Sequence, residues 1–313
     1  MAKVTTDLAE WMTQLSIQLK DIPIINLGIP GSHDSMSYGI RKRARVAPDA
    51  EPVVNKVYIV LPYLDLRICM NPRDNNFYFV HGLFCEEIIN PLAQIRQFMD
   101  DHPNEFIIFD CQHFYNFSNG DYGRLERIFV KYFSDKFFTI HDGSLAQLTL
   151  NKANSLQKQL LVIYRYTHVP KEFWDSDSWP TPWPNQINIK KLETYLENSI
   201  KYRDPLKGYV TQCVLTPPLK FIVPRFYSSL RNKCALKVNK KLIDWIRNQK
   251  VGPFTINADQ PTSNVFIADF IELDNSAFCR AVIDLNNKIL ESLQENVHIT
   301  SDNMDKSDSE VKT

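Results

Sequence analysis

Two histidines follow short apolar stretches early in the chain. His33 lies in residues 30–35 (PGSHDS), and His81 lies in residues 79–82 (FVHG). Two imidazoles that meet in one site can act as general base and general acid near neutral pH. A single loop histidine is more often a local hydrogen-bonding group, so the pair is more informative than either residue alone.

A carboxylate and a guanidinium lie between these histidines, at Asp65 and Arg67 in residues 63–68 (YLDLRI). Alternate residues of a strand point to the same side, so the two side chains share one face. Such a pair fits a site that handles an anionic substrate. It also fits a structural ion pair, and the residues alone leave both interpretations open.

Further polar residues directly end apolar stretches, and in a (β/α) barrel such positions lie at the catalytic mouth. These remaining candidates are Asp34, Asp110, Gln112, His113, Arg165 and Asp269.

The elements that must position these side chains alternate between strand and helix. Apolar stretches predict strands at 23–29, 63–68, 77–80, 106–109, 160–164, 209–215 and 264–268, and amphipathic spacing predicts helices at 6–19, 87–100, 121–134, 188–202, 224–248 and 275–294. Strands that are apolar throughout are typical of a parallel sheet covered by helices. The sequence therefore predicts an α/β fold, a single-domain (β/α) barrel over residues 1–296, followed by a disordered polar tail at 297–313.

Composition excludes several classes of protein. The 36 basic and 36 acidic residues cancel, which argues against a dedicated nucleic-acid binder and against bulk electrostatic attachment to anionic membranes. The 9 glycines form no nucleotide-binding loop, and the 6 cysteines show neither zinc-site nor disulfide-framework spacing. No secretory signal or transmembrane stretch is visible, so we expect a soluble, cytoplasmic monomer.

Three motifs in order carry a family resemblance: residues 30–35 (PGSHDS), 63–68 (YLDLRI) and 79–84 (FVHGLF). Together they resemble the phosphatidylinositol-specific phospholipase C X domain. More narrowly, they are similar to the small animal X-domain-containing proteins without added lipid- and calcium-binding modules. Further matches, which extend the resemblance over nearly all of 8–290, are FIIFD at 106–110, WPTPW at 179–183, QCVLTP at 212–217 and ADFIEL at 268–273.

The resemblance implies a distorted (β/α)8 barrel that cleaves the phosphodiester of phosphatidylinositol. The inositol 2-hydroxyl attacks phosphorus, diacylglycerol leaves, and a cyclic inositol phosphate forms. By this resemblance His33 is the general base and His81 the general acid. Asp269 orients His33, Asp34 partners the acid histidine, and Arg67 neutralises charge on the phosphate.

The same resemblance indicates whether the site uses a metal ion. Calcium-dependent relatives carry Asn after the first histidine and a carboxylate where this chain has Arg67. Here Asp34 follows His33 instead, so the resemblance implies a metal-independent mechanism with no cofactor. A guanidinium in the site would oppose a calcium ion, which needs several oxygen ligands.

Four residues are expected to contact the substrate head group. Arg165 resembles an arginine that contacts inositol hydroxyls in bacterial enzymes. Gln112 or His113 stands where those enzymes place a lysine, and Asp65 shares a strand face with Arg67. The expected partner is a phosphoinositide at a membrane surface, with transient membrane association.

The clearest departure from the family is the stretch 41–62, which is short and contains three prolines. We expect it to lack a well-packed first crossover helix and to impair activity. This favours a second hypothesis, a non-catalytic phosphoinositide-binding or scaffold protein on the same barrel. A metal-dependent glycerophosphodiester hydrolase is a third hypothesis, against which Arg67 argues.

Membrane contact is left open by two features. The aromatic loop 173–183 either packs on the barrel or touches the membrane, because tryptophans favour that interface. The basic run 41–45 either faces anionic lipid or is a solvated loop.

Overall fold

The computed structural model describes residues 7–37, 61–81, 84–216, 235–254 and 261–294. The strands within them are β1 (Ile29–Ser32), β2 (Tyr63–Asn71), β3 (Asn76–Val80), β4 (Phe84–Glu87), β5 (Ile107–Tyr115), β6 (Leu160–Tyr164), β7 (Val210–Gln212) and β8 (Val265–Ala268). The helices are α1 (Ile17–Lys20), α2 (Ile89–Asp101), α3 (Asn119–Phe133), α4 (Leu150–Ser155), α5 (Ile189–Ile200), α6 (Leu236–Arg247) and α7 (Leu273–Asp284).

Six strands run parallel in the spatial order β7, β8, β1, β2, β5 and β6. The far end of β2 also pairs with β3 in an antiparallel ladder, which β4 extends. Among the described residues β6 and β7 do not pair with each other, so the barrel sheet is mixed and unclosed. The predicted distorted α/β barrel is confirmed.

The aromatic loop 173–183 fills the gap between β6 and β7. The backbone of Trp174 accepts from Tyr164 N at 2.8 Å and donates to Val162 O at 2.7 Å. Further along, Val210 N donates to Pro180 O at 3.0 Å, which links the same loop to β7. The loop thus takes the place of a closing strand.

The side chains of this loop fit that position. Phe173, Trp174 and Trp179 are buried, whereas Trp183 is 42% exposed. A Cβ atom built on Gly208 would lie 2.0 Å from the Trp179 ring, so only glycine leaves room for this indole. Three of the four aromatic side chains of the loop therefore pack on the barrel, and Trp183 reaches solvent.

Helices bury one face against the strands. In α3 the buried residues Leu125, Phe129 and Phe133 recur every four positions, the spacing of one helix face. Ser118 and Asp121 form a capping box that fixes the start of α3. The helices predicted at 87–100, 121–134 and 188–202 agree with α2, α3 and α5 to within two residues at each end.

Two predictions near the amino terminus are wrong. The predicted helix at 6–19 consists of turns followed by the short α1, because buried Glu105 accepts from Met12 N, Thr13 N and Thr13 Oγ1. The predicted strand at 23–29 contains a 3₁₀ turn at Ile24–Asn26, and β1 begins only at its last residue.

Other predictions fall partly outside the described residues. These are positions 41–60 of the short stretch, the basic run 41–45, the tail 297–313 and the first part of the predicted helix 224–248. The extent of the single domain, 1–296, stays a prediction. Cysteines 69, 111, 213 and 279 are free and buried, and Cys85 is buried as well. In the part of the chain that the structure describes, no helix combines the length and apolar character needed to span a bilayer.

Candidate active site

A tight turn after β1 carries the first two candidate residues. His33 N donates to Ala268 O of β8 at 3.1 Å, and Ser35 N donates to Asp65 O of β2 at 2.8 Å. Asp34 has φ 46°, the left-handed conformation that aspartate tolerates better than most residues. The turn is therefore anchored to both neighbouring strands and holds two side chains at the barrel mouth.

His33 lies between a carboxylate and a guanidinium. Its Nδ1 is 2.8 Å from Asp269 Oδ1, and its Nε2 is 3.0 Å from Arg67 Nη2. Because a guanidinium can only donate, this second contact requires an unprotonated Nε2. The arrangement thus fits a neutral imidazole that carries its proton on Nδ1, toward Asp269.

The charges around His33 favour its protonated form. Burial lowers the pKa of the imidazole, but the carboxylates of Asp34, Asp269 and Asp65 outweigh it and raise the pKa to about 9. These charges and the Arg67 contact favour opposite protonation states. The geometry in the structure corresponds to a neutral His33 imidazole, because Arg67 Nη2 donates a hydrogen bond to Nε2. If Nε2 of His33 carried a proton, the carboxylate oxygen Oδ2 of Asp65 would lie 3.8 Å from this nitrogen.

Asp34 joins the other charged groups. Its Oδ2 lies 2.8 Å from His81 Nε2, and its Oδ1 forms an ion pair with Arg67 Nε. Burial opposes ionisation of this carboxyl, which is 1% exposed, yet His33, His81 and Arg67 hold its pKa well below the usual range. One ionised carboxylate therefore connects both histidines and the arginine.

Asp65 lies beneath this group. Its Oδ2 accepts from Asp34 N at 3.2 Å and lies 3.6 Å from Arg67 Nη2. Burial raises the pKa of Asp65 to about 6, although the charges of Arg67 and His33 partly offset the effect.

Three residues of this group carry side-chain atoms of the kinds that ligate metal ions. His33, Asp34 and Asp65 offer ligand atoms that all lie within 4.8 Å of one another. Arg67, however, contacts both carboxylates, so a guanidinium already supplies the positive charge that an ion would bring. This charge opposes a divalent cation at the same place.

Arg165 and Gln112 form a second layer around a different carboxylate. Arg165 Nε and Nη2 each donate to Asp110 at 2.7 Å, and Arg165 Nη2 also donates to Trp179 O at 2.7 Å. Gln112 Nε2 and Tyr63 OH donate to Asp110 Oδ2 as well. Both predicted substrate contacts are thus engaged by the protein, and Arg165 connects β5 with the loop that fills the barrel gap.

His113 lies nearer to the central group. A register shift between β2 and β5 places it opposite Arg67, with its side chain only partly exposed. Burial lowers the pKa of His113, and the charge of Arg67 lowers it further. Of the two candidates for the lysine position of bacterial enzymes, His113 is the one beside the arginine.

Two residues of the site were not predicted. The Trp183 ring stacks on His33, with centroids 5.8 Å apart and planes inclined by 25°. Gln212 Nε2 donates to Thr181 Oγ1 at 2.9 Å and to Thr181 O at 3.2 Å, which fixes the loop below that ring. Both residues lie in motifs that carry the family resemblance, so those motifs could have identified them as site residues.

The structure thus brings most predicted site residues into one contact network. Its members are His33, Asp34, Asp65, Arg67, His81 and Asp269. The network offers a nitrogen lone pair, a fixed cation and a second imidazole at one mouth. Such a set can move protons to and from an anionic substrate.

No protein-family model matches the chain. Curated relatives cover most of its length. PI-PLC X domain-containing protein 3 of Homo sapiens is 31% identical over 89% of this chain and 94% of its own. PI-PLC X domain-containing protein 2 of Mus musculus is 29% identical over 89% and 87%, and protein 1 of Homo sapiens is 27% identical over 90% and 93%.

Solved structures show the same fold. The phosphatidylinositol-specific phospholipase C of Listeria monocytogenes superposes with a TM-score of 0.63 at 17% identity, covering 89% of this chain and 98% of that chain. The Staphylococcus aureus enzyme superposes with a TM-score of 0.60 at 16% identity, covering 90% and 99%.

Proposed function

Because the chain belongs to the family of PI-PLC X domain-containing proteins, we propose that it is a phosphodiesterase of phospholipase C type acting on phosphatidylinositol lipids. The observation that carries this proposal is the contact network in which Asp34 joins His33, Arg67 and His81.

The two histidines divide the proton transfers. His33 Nε2 takes the proton of the inositol 2-hydroxyl, whose oxygen forms a bond to phosphorus. The bond from phosphorus to the glycerol oxygen breaks, and that oxygen receives a proton from His81. The products are diacylglycerol and a cyclic inositol phosphate. Asp269, on Nδ1, holds the His33 tautomer and stabilises the imidazolium that forms.

Arg67 meets the negative charge of the phosphate. Charge on the non-bridging oxygens rises in the transition state, and a fixed guanidinium stabilises it through charge-assisted hydrogen bonds. Arginine stays charged at any physiological pH, so it can do this without a metal ion. His113, opposite Arg67, contacts the head group from the neighbouring strand.

The proposed site of action is a membrane surface reached from the cytoplasm. The substrate lies in a bilayer, so the protein associates with it transiently and supplies diacylglycerol and inositol phosphate for signal transduction.

The test uses purified full-length protein on phosphatidylinositol micelles with EGTA present. We expect cyclic inositol phosphate and diacylglycerol in equal amounts, and no product from His33→Ala or His81→Ala. Circular dichroism and thermal unfolding verify that each protein is folded. Folded wild-type protein that forms no cyclic product would overturn the proposal.

A second candidate function is non-catalytic binding of phosphoinositides by the same barrel. It is favoured by the engagement of Arg165 and Gln112 with Asp110, which occupies two predicted substrate contacts. Under this alternative, phosphoinositide vesicles are bound without turnover, and His33→Ala and His81→Ala leave the binding unchanged.

A further inference from the structure

The segment that directly follows β8 carries Asp269, whose carboxylate contacts His33 Nδ1 at 2.8 Å. The ladder between β8 and β1 ends at Ala268, one residue before Asp269, and Phe270 then adopts the left-handed region with φ 50°. That conformation is unfavourable for a bulky side chain such as phenylalanine. Contacts from outside the sheet must therefore hold Asp269 in the place where it meets His33.

The side chain of Asn239, on α6, supplies such contacts. Its Nδ2 donates to Asp269 O at 2.8 Å and to Phe270 O at 3.4 Å, and only 6% of the residue is exposed. Backbone oxygens can only accept hydrogen bonds, so the amide must face them with its NH2 group. One buried amide thus holds the two peptide groups on either side of the left-handed Phe270.

An apolar contact supports the same segment. In the described part of the chain, Phe270 packs with Ala235 and Leu273 in a small buried cluster, separate from the main hydrophobic core. Ala235 immediately precedes α6, so the start of this helix holds the segment through both its backbone oxygens and its phenyl ring. Because the cluster is small and separate, we expect changes within it to act locally.

Helix α6 is itself fixed against β8, which makes it a rigid support. Asn239, Leu242 and Ile246 are buried on one face of the helix, with the spacing of successive turns. The ring of Trp245 meets Phe266 of β8, with centroids 6.4 Å apart and planes inclined by 70°. The helix thus packs along β8 and reaches past its end, where Asn239 contacts the segment that follows.

We propose that Asn239 is a positioning residue for the reaction: by fixing the main chain at Asp269 and Phe270, it aims the Asp269 carboxylate at His33 Nδ1. The Asp269 side chain is 27% exposed, so water competes for its oxygens whenever the backbone shifts. A displacement would lengthen the 2.8 Å contact and leave the His33 imidazolium less stabilised. The choice of reaction rests on the proposed function, but the control of His33 by Asn239 requires no turnover.

Three charged groups besides Asp269 face His33. Asp34 Oδ2 lies 3.5 Å from its Nδ1, whereas Asp65 Oδ2 lies 3.8 Å and Arg67 Nη2 3.0 Å from its Nε2. These residues follow β1 or lie on β2, whereas the Asn239 side chain donates to the segment after β8. Loss of the Asn239 contacts should therefore weaken the effect of Asp269 on His33 and leave the other three groups in place.

The experiment measures the pKa of His33 by NMR titration, together with the pH dependence of kcat and KM. Asn239→Leu keeps the approximate size of the side chain and removes both donors. We expect it to lower the pKa of His33 by about 1, since an opposite charge at such a distance shifts a pKa by about 1–3. On the high-pH plateau kcat should fall about 10- to 100-fold. KM should stay nearly constant, because Asp269 acts on the base and not on the substrate.

The matched control is Asn286, a second buried asparagine whose Nδ2 donates to two backbone oxygens. These are Gly28 O and Ile283 O, both at 3.0 Å, and the residue is 1% exposed. Gly28 directly precedes β1, at the opposite end of that strand from His33. Asn286→Leu should lower the thermal unfolding temperature, as Asn239→Leu does, but leave the titration of His33 unchanged.

Two further variants test the same contact. Asn239→Ser keeps one donor and should lower the pKa of His33 less, and it replaces Asn239→Leu if that variant does not fold. In Asp269→Asn protein, Asn239→Leu should produce no further change in the pKa of His33, since the carboxylate through which it acts is then absent.

Three results would each overturn the positioning role. They are a folded Asn239→Leu protein with the wild-type His33 titration, an equal pKa change in Asn286→Leu, and an Asn239→Leu effect that persists in Asp269→Asn protein. Failure of the proposed function gives a different pattern. If wild-type protein forms no cyclic inositol phosphate but the pKa of His33 still falls in Asn239→Leu, the phosphodiesterase proposal fails and the positioning role stands.

Discussion

The indole of Trp183 covers the imidazole of His33, with ring centroids 5.8 Å apart and planes inclined by 25°. An aromatic face within about 6 Å of a cation attracts it, and an imidazolium is such a cation. Gln212 holds the loop that presents this ring, through Thr181. Trp183 therefore both orients His33 and stabilises its protonated form.

The first prediction separates the charge effect of Trp183 from its bulk. Trp183→Phe keeps an aromatic face, whereas Trp183→Leu keeps apolar cover without it. We expect Trp183→Leu to lower the pKa of His33 and to lower kcat/KM on its high-pH plateau about two- to fivefold, with a smaller change for Trp183→Phe. NMR titration of His33 and steady-state assays measure the two effects. Equal pKa values in both variants would contradict a role for the aromatic face.

The second prediction concerns the shape of the cation at position 67. Arg67 reaches Asp34 through Nε and His33 through Nη2, and a lysine ammonium cannot make both contacts at their present positions. We expect Arg67→Lys to lower kcat/KM by about 10²-fold, the usual cost of one preorganised donor, with little loss of stability. Assays with EGTA, supported by urea unfolding, check this. Wild-type activity in Arg67→Lys would show that charge alone suffices.

The third prediction is the pH dependence of the reaction. His33 must be unprotonated to act as base, and nearby carboxylates raise its pKa to about 9 despite burial. We expect kcat/KM to fall as the pH drops below about 9. Asp269→Asn removes one of these carboxylates, so it should move this acid limb to lower pH and also lower the plateau. An unshifted limb in Asp269→Asn would show that another group controls the titration.

The fourth prediction is that protonation of His33 makes the free energy of unfolding depend on pH. The folded pKa of His33 lies above the unfolded value of about 6.5. Its proton therefore stabilises the folded state fully below about pH 6.5, and this stability is lost as the pH rises through 9. At about 1.4 kcal/mol per pKa unit, the effect approaches about 3 kcal/mol. Urea unfolding of wild type and His33→Gln at pH 6 and pH 10 measures it. A loss of equal size in His33→Gln would contradict it.

The meeting of many site residues could be predicted because it follows from the regular geometry of single strands and of neighbouring strands. Asp65 and Arg67 share a face through strand alternation alone, and His33 and Asp269 follow strands that pair side by side. The contact between Trp183 and His33 depends on the path of an irregular loop across the barrel gap, which no periodicity encodes. The predicted helix at 6–19 failed for a related reason. Glu105, distant in the sequence, satisfies backbone donors that a helix would otherwise use.

The partner of Arg165 could not be predicted either. Both Arg165 and Asp110 follow apolar stretches, but their pairing depends on β5 and β6 being neighbours and on the loop that supplies Trp179 O. The resemblance assigns Arg165 to the substrate, whereas its Nε and Nη2 atoms serve Asp110 and that loop. A structural role and a substrate-binding role of Arg165 predict different effects of its substitution on stability and on KM.

If Arg165 is a structural clamp, removing it leaves the buried Asp110 carboxylate without its guanidinium. We expect Arg165→Met to lower the free energy of unfolding by about 3–5 kcal/mol, the usual cost of breaking a buried pair. Asp110→Leu in the same chain should restore part of this loss, because no unpaired charge then remains. Urea unfolding of the single and double variants measures both effects. A pure substrate contact would instead leave stability unchanged and raise KM, and that result would return Arg165 to the head-group site.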